Sequence, residues 1–111
     1  MSVIKKRQDF LALRNARRTS SRCFLMLSRK NRENGESLRL GLTVTKKLGG
    51  AVIRNRIRRR LRAAAREVFP LHAAGGTDYV LVARKAAYDR NYAELLDDMK
   101  RALLSQRRDI K

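Results

Sequence analysis

The sequence is poor in several residue types, and each shortage excludes a class of protein. It contains one Cys, one Pro, one His and no Trp in 111 residues. A single cysteine excludes an intramolecular disulfide, so the core has to hold the chain together. No stretch approaches the roughly 18 to 20 apolar residues that cross a bilayer, and the first ten residues lack the apolar run of a signal peptide. We therefore expect a soluble, cytoplasmic protein that does not associate with membranes.

Groups that perform acid–base or nucleophilic chemistry are equally scarce. The one histidine, His72, lies in the loop-like stretch "HAAGGTD" and is predicted to be a surface residue. Asp97 and Asp98 lack a third ligand that would complete a metal site. Cys23 lies in the apolar run "CFLML", which favours a small buried thiol. We predict no catalytic residue on this chain, and the sequence leaves open whether a metal ion contacts it.

Negative charge is also in short supply, which leaves a large positive excess. Ten Asp and Glu residues stand against 28 Lys and Arg, for a net charge of +18. Hydrophobic residues make up 43% of the chain, as in a folded protein, and the length suits a single domain over residues 1–111. Because a surface of one sign repels itself and attracts polyanions, we expect an anionic partner.

Hydrophobic periodicity predicts the first half of the fold. Residues 8–17 place their apolar side chains on one side, as in a short helix. The apolar run at 23–27 and the alternating pattern at 38–45 are typical of strands. Between them, Asn34-Gly35 is a strong turn signal, since both residues tolerate positive φ. We therefore predict that the two strands form a hairpin.

Chain breakers and caps predict the second half. Two glycines open a basic helix that runs from residue 51 to about 69 and is closed by Pro70. The run 79–83 is apolar on both faces, as a central strand requires. Asn91, with Glu94 three residues later, is a capping box that starts a last helix. The predicted fold is α+β, in the order helix-strand-strand-helix-strand-helix, with the basic helix as a crossover. Residues predicted to be buried are Leu40, Leu42, Ile53, Ile57, Leu61, Val80, Val82, Leu95 and Met99.

The segment 46–66 carries nine positive charges and no negative charge. On a helical wheel its apolar residues and those of the next turn form a narrow seam, made of Ile53, Ile57, Leu61, Ala64 and Val68. The far side is basic or amide throughout: Asn55, Arg59, Arg62 and Arg66, with Arg56 and Arg58 at its edges. Solvated helix faces normally mix charge signs, so we interpret this one as a binding surface. We expect Arg58, Arg59, Arg62 and Arg66 to be exposed.

The charge alone does not identify the anion, because double-stranded nucleic acid, structured RNA and an anionic membrane would all be attracted. A membrane-binding helix would carry large side chains for insertion on its apolar side. Here that side has Ile, Ala, Leu and Val at core spacing, which favours a nucleic acid.

The ordered run "GLTVTKKLGGAVIRNRIRRRLRAAAREVF" resembles the protein subunit of bacterial ribonuclease P. The signature of that family is a strand ending in SKK or TKK, a turn that contains Gly, and a helix of the form AVxRNRxKRxxR. The matching residues are Thr45, Lys46, Lys47, Gly49, Ala51, Val52, Arg54, Asn55, Arg56, Arg58, Arg59 and Arg62. Similarity at residues 79–87 and 8–10 extends the resemblance over nearly the whole chain.

This resemblance implies a function and a fold. In the family the protein binds a large catalytic RNA, and the holoenzyme removes the 5′ leader of precursor tRNA by hydrolysis that depends on Mg²⁺, held mainly by the RNA. No obligate protein partner is implied. The fold implied is of the ribosomal S5 domain-2 type, with a left-handed β-α-β crossover around the basic helix. The residues implied to bind the RNA subunit are Lys46, Lys47, Arg54, Asn55, Arg56, Arg58, Arg59, Arg62 and Arg66.

The resemblance also implies a cleft for the single-stranded leader, between the first helix and the sheet. The residues assigned to it are Phe10, Arg14, Phe24, Leu27, Arg84 and Lys85. At Arg14 and Leu27 relatives carry aromatic residues, on which the bases of single strands stack. Arg14 can stack through its guanidinium plane instead.

Two other functions stay open at this point. A ribosomal or other structural RNA-binding protein would share the charge but not the ordered "TKK…RNR" run. A stand-alone nuclease would need a cluster of carboxylates or histidines that the sequence does not offer.

Overall fold

The computed structural model describes residues 2–3, 16–31 and 35–108. Five strands and two α-helices make up this part of the chain, and we number them in chain order. They are β1 (Ser2–Val3), β2 (Arg17–Ser20), β3 (Phe24–Lys30), β4 (Arg39–Thr43), α1 (Ala51–His72), β5 (Thr77–Ala83) and α2 (Tyr92–Arg108). Short 3-10 turns at Lys46–Leu48 and Lys85–Tyr88 precede α1 and α2.

The strands form one mixed sheet in the order β1-β4-β5-β3-β2. The middle strand, β5, runs parallel to β4 and antiparallel to β3. All of its residues are buried except Val82, which is half-buried. A strand that is apolar on both faces loses the most contact with water in the middle of a sheet. The prediction of a central strand at 79–83 is confirmed.

The predicted hairpin between 23–27 and 38–45 is wrong. Both segments contain strands, β3 and β4, but β5 lies between them. The turn signal itself is real, since Gly35 has a φ of 59°. It reverses the chain in a loop that joins two non-adjacent strands. Local turn chemistry sets the direction of the chain, whereas the burial of β5 decides which strands become neighbours.

The basic helix α1 connects β4 to the adjacent, parallel β5, so it is a crossover as predicted. That this crossover is left-handed stays a prediction. The chain enters α1 through Gly49, whose φ is 141° and where a Cβ would lie 2.9 Å from Cδ1 of Ile53. Only glycine adopts that conformation without strain. Gly50 follows as the N-cap residue of α1.

Both helices contribute to one hydrophobic core with one face of the sheet, which confirms the α+β class. Of the residues predicted to be buried, Leu40, Ile57, Leu61, Val80, Leu95 and Met99 are buried, while Leu42, Ile53 and Val82 are half-buried. The ring of Phe69 in α1 meets that of Tyr79 in β5 edge to face, with centroids 5.1 Å apart. Cys23 is fully buried, as predicted.

At the start of the chain one predicted boundary needs correction, and two strands, β1 and β2, were not predicted. Arg17, the predicted end of a first helix, is the first residue of β2, and β2 pairs antiparallel with β3. Residues 8–15 of that predicted helix lie outside the described residues. The two-residue strand β1 pairs with β4 and was not predicted, because so short a segment has no periodicity to detect.

The basic helix is longer than predicted and continues through Pro70 to His72. Pro70 has no N–H to donate to the carbonyl of Arg66, so α1 lacks one hydrogen bond there, yet the helical backbone continues past it. Beyond it, the backbone N–H of Ala73 still donates to the carbonyl of Phe69 at 2.9 Å. His72 is therefore a half-buried helix residue and not a loop residue as predicted.

The last helix begins where the sequence predicts. Asn91 Oδ1 accepts hydrogen bonds from the backbone N–H groups of Ala93 at 3.0 Å and Glu94 at 3.4 Å, so Asn91 caps α2. The carboxylate of Glu94 pairs with Arg90 at 3.0 Å.

Candidate nucleic-acid interface

α1 has one buried face and one basic face. The buried face consists of Ile57, Leu61, Ala64, Ala65, Val68 and Phe69. The seam predicted from periodicity is therefore confirmed, except that Ile53 in the first turn is only half-buried. Because this seam fixes the rotation of α1 about its axis, the opposite side chains have to point away from the core.

Arg59, Arg62 and Arg66 are exposed on that opposite side, and we call these three residues the arginine ridge. Their spacing of three and four residues places them one above another along the helix. Within the part of the chain that the structure describes, none of the three forms an ion pair. The arginine ridge therefore presents charge of a single sign to whatever approaches it.

Arg58 differs from its neighbours and corrects the prediction that it is exposed. It is half-buried, and its Nη1 donates to Oδ1 of Asn55, three residues earlier, at 3.1 Å. This contact gives Asn55 a role inside the helix, since its amide oxygen orients the guanidinium group of Arg58. Arg54 is also half-buried and flanks the same face.

The N-terminal end of α1 adds positive potential to the arginine ridge. Lys46 and Lys47 are exposed on the 3-10 turn just before the helix. The N-cap residue, Gly50, has no side chain that could cap the first turn of α1, and no acidic residue lies in that turn. Unpaired N–H groups at a helix start carry about half a positive charge, which favours an anion there. The two lysines and the helix start therefore favour the same kind of ligand as the arginine ridge.

Two further arginines of α1 face the segment that leads into α2. Arg56 Nε donates to the carbonyl of Tyr88 at 2.9 Å, and its guanidinium carbon lies 5.1 Å from the centre of the Tyr88 ring. Arg60 Nη1 donates to the same carbonyl at 3.4 Å, and Arg60 Nη2 donates to the carbonyl of Arg90. Sequence reasoning did not single out Arg60. A signal was present, because the wheel places it next to the apolar seam, beside Ile53.

A groove of about 260 Å³ lies beside the arginine ridge, between α1 and the start of α2. Its lining residues are Arg56, Arg59, Arg60, Ala63 and Tyr92. The hydroxyl of Tyr92 donates to Oε2 of Glu67 at 2.5 Å, and this hydrogen bond raises the pKa of Tyr92. A phosphate in this groove would meet the guanidinium group of Arg59, whereas those of Arg56 and Arg60 already donate to backbone carbonyls.

The sheet has a second face, which points away from the core of α1 and α2. Leu25 and Leu27 of β3 lie there beside Val82 and Val80 of β5, according to the strand register. We call these four residues the outer face. Val80 is buried, and Leu27, Val82 and Ala16 pack against it in a cluster separate from the main core. The outer face is therefore an apolar surface in its own right.

The predicted leader-binding residues fall into three groups. Leu27 lies on the outer face, and Arg84 and Lys85 are exposed directly after β5. The prediction for Phe24 is wrong. Its side chain is 0% exposed and points into the main core, because alternation along β3 places Phe24 and Leu27 on opposite faces of the sheet. A ring with no exposed surface cannot stack on a base. Phe10 and Arg14 lie outside the described residues.

Arg84 is held in place by the turn between β2 and β3. Its Nη1 donates to Oγ of Ser20 at 2.8 Å and to the carbonyl of Ser21 at 2.6 Å. Its backbone N–H donates to the carbonyl of Cys23 at 2.9 Å. The cationic end of β5 is therefore fixed to the edge of the outer face.

An ion pair between half-buried Arg39 and buried Asp78 closes the other end of the outer face. Arg39 Nε and Nη2 donate to the two carboxylate oxygens of Asp78 at 2.8 and 2.7 Å, and Asn31 Nδ2 donates to Oδ2 of Asp78 at 3.0 Å. Asp78 is only 3% exposed. The fork geometry of Arg39 satisfies both oxygens at once. The three residues tie together the ends of β3, β4 and β5.

Acidic residues of α2 are paired with cations of the protein itself. Asp98 accepts from Arg90 Nε at 3.1 Å, and this hydrogen bond raises the pKa of Arg90. Sγ of Cys23 lies 3.8 Å from Oδ2 of Asp98; burial, and then this carboxylate, raise the pKa of the Cys23 thiol. Asp97 pairs with Arg101 at 3.0 Å. Among residues 2–3, 16–31 and 35–108, no three His, Cys, Asp or Glu side chains group closely enough to hold a metal ion.

The fold and the charge distribution define a class: a small α+β protein that offers a cationic helix face to a polyanion. Comparison with known proteins identifies the family. The family model described as Ribonuclease P matches residues 2–106, and the chain belongs to the ribonuclease P protein family. It is therefore a component of an endoribonuclease holoenzyme that processes tRNA and that includes an RNA partner. Within the described residues no helix has an apolar stretch long enough to cross a bilayer.

Relatives are similar in sequence to this protein over most of its chain. The ribonuclease P protein component of Caulobacter vibrioides is 46% identical over 107 residues, covering 96% of this chain and 72% of that protein. The protein component of Paramagnetospirillum magneticum is 45% identical over 104 residues, covering 90% of this chain and 78% of that protein. The residues that carry the resemblance are thus part of a similarity over the whole fold.

Solved structures show the same fold. A mutant RNase P protein of Staphylococcus aureus, described as defective in mRNA degradation activity, superposes with a TM-score of 0.81 at 31% identity, covering 95% of this chain and 87% of that one. The RNase P protein of Thermotoga maritima superposes with a TM-score of 0.78 at 25% identity, covering 93% of this chain and 96% of that one.

Proposed function

We propose that the arginine ridge and the N-terminal end of α1 bind the catalytic RNA subunit of ribonuclease P. The observation that carries this proposal is the exposure of three arginines on one helix face that form no ion pair within the described residues, beside Lys46, Lys47 and the N-terminal end of the helix. Arg54 and Arg56 extend the same surface, and Asn55 supports it by orienting Arg58. Phosphate groups, rather than protein carboxylates, neutralise this face.

The outer face is our candidate for binding the 5′ leader of precursor tRNA. Leu27 offers an apolar surface, while Arg84 and Lys85 supply positive charge where β5 ends. Phe10 and Arg14 belong to the same proposal on the strength of the family resemblance. Single-stranded RNA is commonly bound in this way, with phosphates on cations and bases on flat or apolar side chains.

The chemistry is proposed to belong to the RNA partner, together with the Mg²⁺ that the RNA holds. When bound there, Mg²⁺ would activate water and stabilise charge on the scissile phosphate. The described residues of this chain offer no ligand set that fits the ion. The role of the chain is to position the substrate, and its compartment is that of its substrate, the cytoplasm.

Reconstitution tests this function directly. Precursor tRNA is incubated in low-salt Mg²⁺ buffer with the protein, with the RNA subunit, and with both. We expect no cleavage by the protein alone, slow cleavage by the RNA alone at high Mg²⁺, and cleavage at lower Mg²⁺ by the two together. Cleavage by the protein alone would identify a stand-alone nuclease. Equal cleavage by the RNA with and without protein would favour a structural RNA-binding protein.

Leader length tests the proposed leader site separately. The holoenzyme should bind a precursor with several leader nucleotides more tightly than one with a single nucleotide. Lys85→Ala should lose part of that difference, because Lys85 is exposed and removing its charge leaves the fold intact. An affinity independent of leader length would overturn the leader assignment and leave RNA-subunit binding standing.

A further inference from the structure

Arg60 lies in the basic run of α1 but does not belong to the arginine ridge. It is half-buried, and its two terminal nitrogens donate to the backbone carbonyls of Tyr88 and Arg90. Its Nε is buried, with no hydrogen-bond partner among the described residues. A guanidinium group whose ends are bound to the protein backbone has little left to offer a phosphate.

The carbonyls that Arg60 holds belong to the segment 84–91, which joins β5 to α2. At its far end this segment carries Arg84, bound to Ser20 and Ser21 beside the outer face. Inside it, the N–H of Ala87 donates to the carbonyl of Arg84 at 3.0 Å. The segment is therefore fixed to the edge of the sheet at one end and to α1 at the other.

We infer that Arg60 is a positioning residue that sets Arg84 and Lys85 at a fixed distance and angle from the arginine ridge. The inference rests on the proposed leader site. Its physical basis is the planar fork of arginine, which binds two carbonyl oxygens of different residues at once and in one geometry. Arg56 also holds the carbonyl of Tyr88, but only Arg60 reaches the carbonyl of Arg90 as well. Through Arg60, the surface that meets the RNA subunit and the surface that meets the leader keep one relative orientation.

The competing explanation is that Arg60, which also lines the groove beside the arginine ridge, contacts an RNA phosphate. Arg60→Lys separates the two. An ammonium group keeps the positive charge that a phosphate needs, but it cannot span two carbonyl oxygens as the fork does. Arg101→Lys is the matched control for exchanging a guanidinium for an ammonium group, since Arg101 is an exposed arginine of α2 that pairs with Asp97 and belongs neither to the arginine ridge nor to the segment 84–91.

Each variant is assembled with the RNA subunit, and KM and kcat are measured for precursors with one and with several leader nucleotides. For Arg60→Lys we expect KM for the long leader to rise by about threefold or more, within the range of coupling found inside one hydrogen-bond network. The kcat at saturation, the affinity for the RNA subunit and its salt dependence should stay as in the wild type. In the double variant Arg60→Lys, Arg84→Ala, KM for the long leader should be little higher than in Arg84→Ala alone, because both residues act through the same segment.

Other outcomes decide against the inference. A wild-type leader effect that survives in Arg60→Lys would overturn it, as would a weakened, less salt-dependent affinity for the RNA subunit, which marks a phosphate contact. If the wild type itself shows no leader effect, the proposed leader site fails and the inference with it. Should Arg60→Lys melt below the assay temperature, Arg60→Gln decides, since its amide likewise cannot span the two carbonyl oxygens as the fork does. A raised KM for the long leader would support the inference, and an unchanged KM would overturn it.

Discussion

Replacing the arginine ridge by alanine should change RNA binding in a way that can be calculated beforehand. Arg59, Arg62 and Arg66 are exposed and have no ion-pair partner in the described part of the chain, so each is available to one phosphate. Each phosphate contact contributes about 0.7 to 0.9 to the slope of log K against log salt. Removing three contacts should therefore reduce the slope by about 2 to 3. Raising the salt from about 50 to 200 mM weakens the binding of both proteins, and the factor by which it weakens should be about 20- to 40-fold smaller for the triple variant than for the wild type.

The same replacement should leave the free protein at least as stable as before. Arg58, Arg62 and Arg66 repeat at i, i+4, and each like-charge pair of this kind costs a helix about 0.2 to 0.5 kcal/mol. Alanine is also the best helix former. Binding and stability should thus move in opposite directions, which separates loss of contact from loss of fold.

The assay is a salt titration of affinity for the RNA subunit, with thermal melting of the free protein alongside. Arg101→Ala removes a charge from the exposed side of α2 and should leave the slope unchanged. An unaltered slope in the triple variant would show that the RNA lies elsewhere. A lower melting temperature would mean that the ridge takes part in folding, against the exposure observed.

Three smaller predictions concern the fold around the site. Gly49→Ala should destabilise the protein by about 1 to 3 kcal/mol because of its positive φ. Gly50→Ala has open space around it and should cost less, at most about 1 kcal/mol, because alanine is a poorer N-cap residue than glycine; urea denaturation compares the two. Cys23 should resist alkylation at pH 8 in the native state, because burial raises its pKa, and should react rapidly once the chain is unfolded; fast native alkylation would contradict that burial. Tyr92 should ionise at lower pH in Glu67→Gln than in the wild type, since its hydrogen bond to Glu67 raises its pKa. This bond stabilises the fold below the pKa of an unfolded tyrosine and is lost as pH rises through the folded value; ultraviolet titration of tyrosinate measures the difference.

The sequence predicted those features that depend on a repeating pattern. The seam of α1 repeats with helical period, and Ile57 and Leu61 are buried as that period requires. β5 is apolar on both faces and is the central strand. In both cases the side chains themselves determine the environment they need, so one segment of sequence is enough to predict it.

Features that depend on a distant segment could not be predicted in this way. β3 and β4 look like a hairpin because a turn lies between them, and only the competition from β5 for the central position separates them. Phe24 and Leu27 are both apolar residues of one strand, and which of them faces the core depends on where the helices pack. The contact of Arg60 with the carbonyls of Tyr88 and Arg90 has no sequence signature, since any residue supplies a carbonyl.

α1 carries seven arginines and a single carboxylate, Glu67, and the described carboxylates that form ion pairs or side-chain hydrogen bonds form them with residues outside the arginine ridge. Asp78 is bound to Arg39 inside the sheet, Asp98 and Glu94 hold Arg90, Asp97 pairs with Arg101, and Glu67 accepts from Tyr92. None of these carboxylates pairs with the arginine ridge. A carboxylate on that face would relieve repulsion along α1 and would also compete with RNA phosphates for the same guanidinium groups. The free protein therefore retains a repulsion that only a polyanion removes, and a polyanion that binds the folded state should stabilise it by mass action.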